Sequence, residues 1–419
     1  IPARILCALF SLYSKSKRLP LFSSNAPLTS RLPKGWALKY WPAKLGAWGK
    51  VPVEVVLAGG ASVSRSDLFG YYASRVDFSS PTGVDIGTGP VSIVIADLNG
   101  DKKDDLISAN LGDSAVGVAL GKGAGAFDAV KSIAVGTDPV AVRVVDLNKD
   151  MKLDVVTANA YSGDLTVLLG KGDGTFEMPT SVKLGASPTA LSFADLNGDM
   201  KDDAIVTTSD GKVTFVPGKG DGTFDLANAK AVSGLSRPMA LATGDLNGDK
   251  KIDLLVANYG GGSVSALLGK GDGTFEAAKA YTVESAPLAV AVADLNGDKK
   301  LDVIAANSAA GTISVLLGKG DGTFQDAASV AVGNGPNSIA SADVNGDEKV
   351  DLAVANFDDG SVSVLLGKGD GTFQSPLRFT AAAGPFSIVA QDLTGDGRPD
   401  IAVASRATGK IALLPNSSQ

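Results

Sequence analysis

Along most of this chain apolar residues come in short runs, separated by stretches rich in glycine, aspartate and asparagine. Residues 288–293 form one such run directly after a proline, a position where a strand tolerates proline. Residues 303–306 form the next, after an acidic loop, and 312–317 a third, after an Asn/Gly-rich turn. Gly-Lys-Gly-Asp-Gly-Thr-Phe then turns the chain, its Asp-Gly pair being a strong hairpin signal. A fourth run at 329–332 ends the unit. No stretch between turns sustains the 3.6-residue period of a helix over ten or more positions. Four short strands joined by tight turns predict an antiparallel four-stranded blade.

The unit recurs seven times. It opens with Phe78, Phe127, Phe176, Phe224, Phe275, Phe324 and Phe373, and the acidic loops begin at Asp97, Asp146, Asp195, Asp245, Asp294, Asp343 and Asp392. Loop starts are spaced 49, 49, 50, 49, 49 and 49 residues apart. One blade cannot bury both its faces, so the blades must stack around an axis. The expected fold is all-β: a seven-bladed β-propeller of four-stranded antiparallel blades. WD40 repeats are shorter and carry a Trp-Asp pair absent here, and kelch repeats match in length but not in signature. The last unit stops after its third strand, while an orphan fourth strand at about residues 84–87 precedes the first complete unit. That N-terminal strand is expected to complete the last blade and remove the free edges of an open array.

Charge divides the 419 residues in two. Residues 1–77 carry 11 Lys/Arg against 3 Asp/Glu, whereas the remainder carries 27 against 42. The division is thus a basic N-terminal extension, 1–77, and an acidic propeller, 78–416. Partial disorder or a remnant signal region, built on the apolar run 5–12, is the expectation for the extension. Membrane contact is expected only through that extension, where Trp36, Trp41 and Trp48 lie among lysines; packing on the propeller is the other reading. The acidic repeat domain argues against nucleic acid as a partner. Histidine is absent, which removes the usual general base, and the single Cys7 cannot form an internal disulfide.

The loop at Asp294 offers side-chain oxygens at its positions 1, 3, 5 and 9: Asp294, Asn296, Asp298 and Asp302. Hard oxygen donors at alternate positions suit Ca²⁺. The loops are not EF-hands, because Ala305 and its counterparts stand where a bidentate glutamate is needed. The alternative is that the aspartates only cap hairpin turns. Against it, two unit charges about 4 Å apart repel by about 4 kcal/mol at an effective dielectric near 20.

Asp-Leu-Asn-Gly-Asp-x-x-x-Asp, with Gly-Lys-Gly-Asp-Gly-Thr-Phe downstream, resembles the FG-GAP (VCBS-type) repeat family. That family shares the propeller of integrin α-subunit heads and certain fungal lectins. Position by position, the resemblance implies calcium ligands at Asp97, Asn99, Asp101 and Asp105, at Asp146, Asn148, Asp150 and Asp154, and at Asp195, Asn197, Asp199 and Asp203. It implies the same at Asp245, Asn247, Asp249 and Asp253, at the Asp294 loop, and at Asp343, Asn345, Asp347 and Asp351. In the last loop the set is Asp392, Thr394, Asp396 and Asp400, where threonine shortens the reach. The family often has glycine at loop position 6, where only Gly397 conforms; Lys102, Met151, Met200, Lys250, Lys299 and Glu348 imply backbone strain.

The expected function is a calcium-stabilised extracellular or cell-surface binding or adhesion module for a glycan or protein, secreted or surface-bound, and not an enzyme. No nucleophile–base constellation is found. A polysaccharide lyase or hydrolase on the same scaffold, or a purely structural spacer, are the alternatives. Partner contacts are expected opposite the calcium loops, through Tyr161, Tyr259, Phe357 and Arg406 in turns between second and third strands. Arg237 joins them, assigned to a two-residue insertion between Phe224 and Asp245.

Overall fold

The computed structural model describes residues 76–418, together with five short strands between residues 37 and 71. Ala37–Tyr40, Val53–Val56 and Ser62–Arg65 form an antiparallel sheet, and Gly49–Lys50 pairs with Gly70–Tyr71. The side chains of residues 1–75, including the run 5–12 and Trp36, Trp41 and Trp48, lie outside the described residues.

From Phe78 onward the chain forms seven four-stranded antiparallel sheets, the blades of a propeller. In blade five the strands are Pro287–Ala293, Asp302–Asn307, Thr312–Leu316 and Ala328–Ala331, adjacent in space in that order. In every blade the register slips just after the opening proline, as between Pro287 and Ala289. Proline has no N–H to give the ladder, and a bulge at the strand entry absorbs the missing bond.

Blade seven is built from both ends of the described chain. Pro385–Gln391, Asp400–Ser405 and Lys410–Leu414 supply three strands, and Thr82–Asp85 supplies the fourth, pairing Asp85 with Lys410 and Thr82 with Leu413. The orphan strand therefore sits about two residues earlier than its sequence pattern placed it. Phe78 extends the closure by bridging Asn416, where the other blades bridge a glycine to their own phenylalanine, as Gly170 does to Phe176. Ser417 N–H donates to the Asp77 carbonyl at 3.0 Å.

Burial follows strand position. All seven second strands are buried along their whole length, the fourth strands are largely exposed, and the first strands are half-buried toward the loop side. The core is correspondingly a ring of seven clusters, each lying between two neighbouring blades. Between blades five and six, for example, Ile304, Ile313 and Val315 meet Leu352, Val354 and Leu365, and Phe373 joins them. Each fully buried aliphatic side chain contributes about 2 kcal/mol relative to exposure. The repeat phenylalanines wedge into these clusters; Phe275 stacks on Phe215 of the preceding blade with ring centroids 4.4 Å apart.

Candidate metal loops and the opposite face

Each acidic loop joins the first strand of a blade to the second, so all seven lie on one face of the disc. The ninth residue opens the second strand and is buried: Asp105, Asp154, Asp203, Asp253, Asp302, Asp351 and Asp400. In blade five one carboxylate oxygen of Asp302 accepts the Leu295 N–H at 2.9 Å, the other the Gly318 N–H at 2.8 Å. The other blades repeat this pair of bonds. It ties the acidic loop to the Gly-Lys-Gly turn of the same blade. The glycine is required by close approach, since a Cβ on Gly318 would lie 2.2 Å from the Leu301 carbonyl oxygen. Blade seven has Asn416 there instead, and its amide donates to the Val344 and Pro399 carbonyls at 2.9 and 3.0 Å.

The first and fifth residues fold the loop itself. Asp294 accepts N–H bonds from Gly297, Asp298 and Lys299, Asn296 accepts one from Asp298, and Asp298 accepts one from Lys300. Asp298 also pairs with the Lys300 ammonium at 3.4 Å. Position 6 takes the left-handed conformation: Lys102, Met151, Met200, Lys250, Lys299 and Glu348 have φ between 63° and 66°. The strain that these residue types implied is therefore present, held by the N–H bond to the first aspartate.

Electrostatics set the ninth residue apart. Burial raises the pKa of Asp302, and the Asp298 and Asp294 charges raise it further, against the two N–H bonds that lower it. Asp351, the most enclosed, is pushed up to about 7 by burial, with the Asp347 and Asp343 charges adding to the rise. Three carboxylates per loop thus stand near enough to repel. Among the described residues, no three carboxylates are drawn together as tightly as in a preformed metal cage. The donors are nonetheless all oxygen, and in blade seven the Thr394 hydroxyl is buried beside Asp400 without a well-formed hydrogen bond. Such a set fits a hard divalent cation, held by positions 1, 3, 5 and 9, whose charge would offset the repulsion.

The turn-forming role of the aspartates is also real. Their N–H bonds shape the loop and anchor the next turn whether or not a cation is present, which repeat spacing alone could not reveal.

The opposite face is made of the turns between second and third strands and of the connections into the prolines. Here the blades differ. Arg237 lies over the Tyr259 ring, 4.6 Å from its centroid. Phe357 meets Phe386 edge-on at 6.1 Å, and Arg406 stands 5.6 Å from the Phe386 ring. Tyr161 stands apart in blade two, 81% exposed. The five residues singled out in the sequence thus fall into an Arg237–Tyr259 pair, a Phe357–Arg406 group and an isolated Tyr161. Sequence reasoning missed Phe386. Its signal was available: it is aromatic at the position after the repeat proline, where the other blades have Val91, Val140, Thr189, Met239, Leu288 and Asn337.

The placement of Arg237 in an insertion is corrected. Phe224 is followed by a 3-10 turn, Leu226–Asn228, before the fourth strand Lys230–Ser233, and the extra residues are spent there, on the loop face. Arg237 occupies a connection of ordinary length, at φ 54°.

The FG-GAP-like repeat matches at residues 97–157, 146–206, 195–256, 245–305, 294–354 and 343–403, in six overlapping copies. The chain belongs to the FG-GAP-like repeat family, and its fold is a seven-bladed propeller. No curated protein matches it. Among solved structures it is similar to an Agrocybe aegerita lectin that recognises non-reducing terminal N-acetylglucosamine, at 19% identity and a TM-score of 0.52, covering 88% of this chain and 93% of that one. It is similar to a putative 6-phosphogluconolactonase of Bacteroides fragilis, at 15% identity and a TM-score of 0.58, covering 83% and 98%. Virginiamycin B lyase of Staphylococcus aureus aligns at 11% identity and a TM-score of 0.55, covering 81% and 99%. At these identities the likeness is one of fold. No helix among the described residues is long and apolar enough to cross a membrane.

Proposed function

We propose that the chain is a calcium-stabilised binding module, secreted or displayed at a cell surface, which takes a glycan or protein on the face opposite its acidic loops. The observation that carries this reading is the division of labour between the faces. One face repeats an all-oxygen loop in seven blades, and the other gathers aromatic and arginine side chains on turns that differ from blade to blade. Aromatic residues and arginine dominate the energetics of contact surfaces. A cation at each loop would neutralise carboxylates that otherwise repel, and its binding energy would add to folding. Extracellular calcium is millimolar, which fills sites with dissociation constants of roughly 10⁻⁴–10⁻³ M. A glycan is one ligand class this fold takes, as in the Agrocybe aegerita lectin. Absence of histidine favours a binder over an enzyme.

Metal analysis after dialysis against millimolar calcium tests the first half of the proposal. About six or seven Ca²⁺ per chain is the expected result, with a melting temperature lowered by chelator. A melting curve that ignores both calcium and chelator would sink it. A glycan and protein binding screen with and without calcium tests the second half, and turnover of a polysaccharide in that screen would move the reading to an enzyme.

A further inference from the structure

The seven first strands surround the propeller axis, and their loop-side halves remain half-buried although they are the innermost elements of the disc. Solvent therefore reaches the axial channel. Four residues past each proline, six blades place a short or apolar residue: Val94, Ser192, Ala242, Ala291, Ala340 and Val389. Blade two places Arg143.

This arginine has no acid. Its guanidinium Nη1 donates to the Val142 carbonyl at 2.8 Å, and none of the described carboxylates pairs with it. Burial alone acts on its pKa, drawing it below the ordinary 12.5. A cation withdrawn from water is costly unless an anion answers it.

The main chain around it is also poised to donate. Val142 N–H bonds the Ser92 hydroxyl of blade one at 3.2 Å, so it points away from its own sheet. Ile93 and Ile388 do the same toward Ser387 and Ser338, at 3.3 and 3.2 Å. The two-residue period of a strand turns the Val144 N–H and its counterparts in neighbouring blades the same way.

We propose that the axial channel binds a small oxyanion, held by the Arg143 guanidinium and by inward main-chain N–H groups of the first strands. The guanidinium fork matches a carboxylate or a tetrahedral oxyanion, and the short side chains at the same level leave room for nothing larger. This site owes nothing to the acidic loops or to the turn face, and it stands or falls apart from their reading.

The experiment compares melting of the full wild-type chain, Arg143→Lys and Arg143→Met. Sodium sulfate or sodium acetate replaces sodium chloride at constant ionic strength, with calcium held fixed. Sulfate stabilises most proteins by exclusion from their surface, so the readout is the wild-type shift beyond that of Arg143→Met. A wild-type excess of several degrees is expected, with Arg143→Lys retaining less than half of it. An excess in the sulfate arm assigns a tetrahedral anion, and an excess in the acetate arm a carboxylate. Equal shifts for wild type and Arg143→Met in both arms overturn the proposal. Should Arg143→Met fail to fold, the Nε resonance of Arg143 in the wild-type chain is followed through both titrations, and a resonance unmoved by either anion overturns it as well.

Discussion

The loop face and the turn face are drawn from the same seven repeats, yet they use their residues in opposite ways. On the loop face one pair of bonds, a buried aspartate to two main-chain N–H groups, recurs in every blade at 2.7–3.0 Å. On the turn face the blades agree in backbone course but not in side chains: Tyr161, Tyr259, Phe357 and Arg406 occupy turns that elsewhere carry alanine or serine. The loop-face bonds fasten parts of a blade together, so altering one releases a loop and a turn at once. Turn-face side chains fasten little, and they can differ at small cost to the fold.

The largest effect should come from breaking the loop face at its anchor. Asp302→Ala leaves the Leu295 and Gly318 N–H groups buried without acceptors and is expected to cost about 3 kcal/mol in urea unfolding. The loss should persist in chelator, because those bonds are internal to the blade. Asp298→Ala is the control on the same loop: its melting curve in chelator should stay put while calcium affinity falls. If the two variants behave alike in chelator, the anchoring role assigned to position 9 is wrong.

A smaller, pH-dependent effect is expected at Asp164, on the turn-face end of blade two. Burial works to raise its pKa, but bonds from Lys183, Ser181, Ser162 and Asn159 outweigh it and hold the value at about 2. The folded pKa lies below the unfolded one, so the stabilisation is present above the unfolded value near 3.8 and is lost as pH falls toward 2. Asp164→Asn should cost about 2 kcal/mol at neutral pH. The gap between wild type and variant should close between pH 4 and pH 2, and a gap constant with pH would remove the ionised carboxylate from the account.

The smallest stability effect, and the sharpest on recognition, belongs to the turn face. Tyr259→Ala removes a half-exposed ring and its contact with Arg237, worth about 0.5–1 kcal/mol. Phe357→Ala should likewise leave calcium-dependent melting nearly unchanged. Binding to the ligand found by screening should fall by tenfold or more in the double variant, measured by calorimetry. Undiminished affinity would place recognition elsewhere on the disc.

The fold was legible because a 49-residue period leaves few arrangements that bury both faces of every blade. Closure was legible as well, since a missing fourth strand at one end answered an extra one at the other. Two things were not. Between Phe224 and Pro238 no signature residue marks the fourth strand, so the extra residues drifted in the reading from the Leu226–Asn228 turn to Arg237. The double role of the position-9 aspartates was hidden too, because their partners are main-chain N–H groups, which every residue but proline offers.

Asp77 and Ser418, joined at the closure, are 341 residues apart in the chain. During synthesis Thr82–Asp85 emerges first and stays unpaired until Lys410–Leu414 has been made, long after the blades between them can fold. The last edge to form is thus left open for a strand made at the very start. A strand arriving from another molecule fits that edge equally well. Closure within one chain then competes with exchange between chains, and the ring wins because its ends are tethered at high local concentration. In a crowded preparation the outcome shifts with protein concentration, toward rings linked in series by borrowed strands.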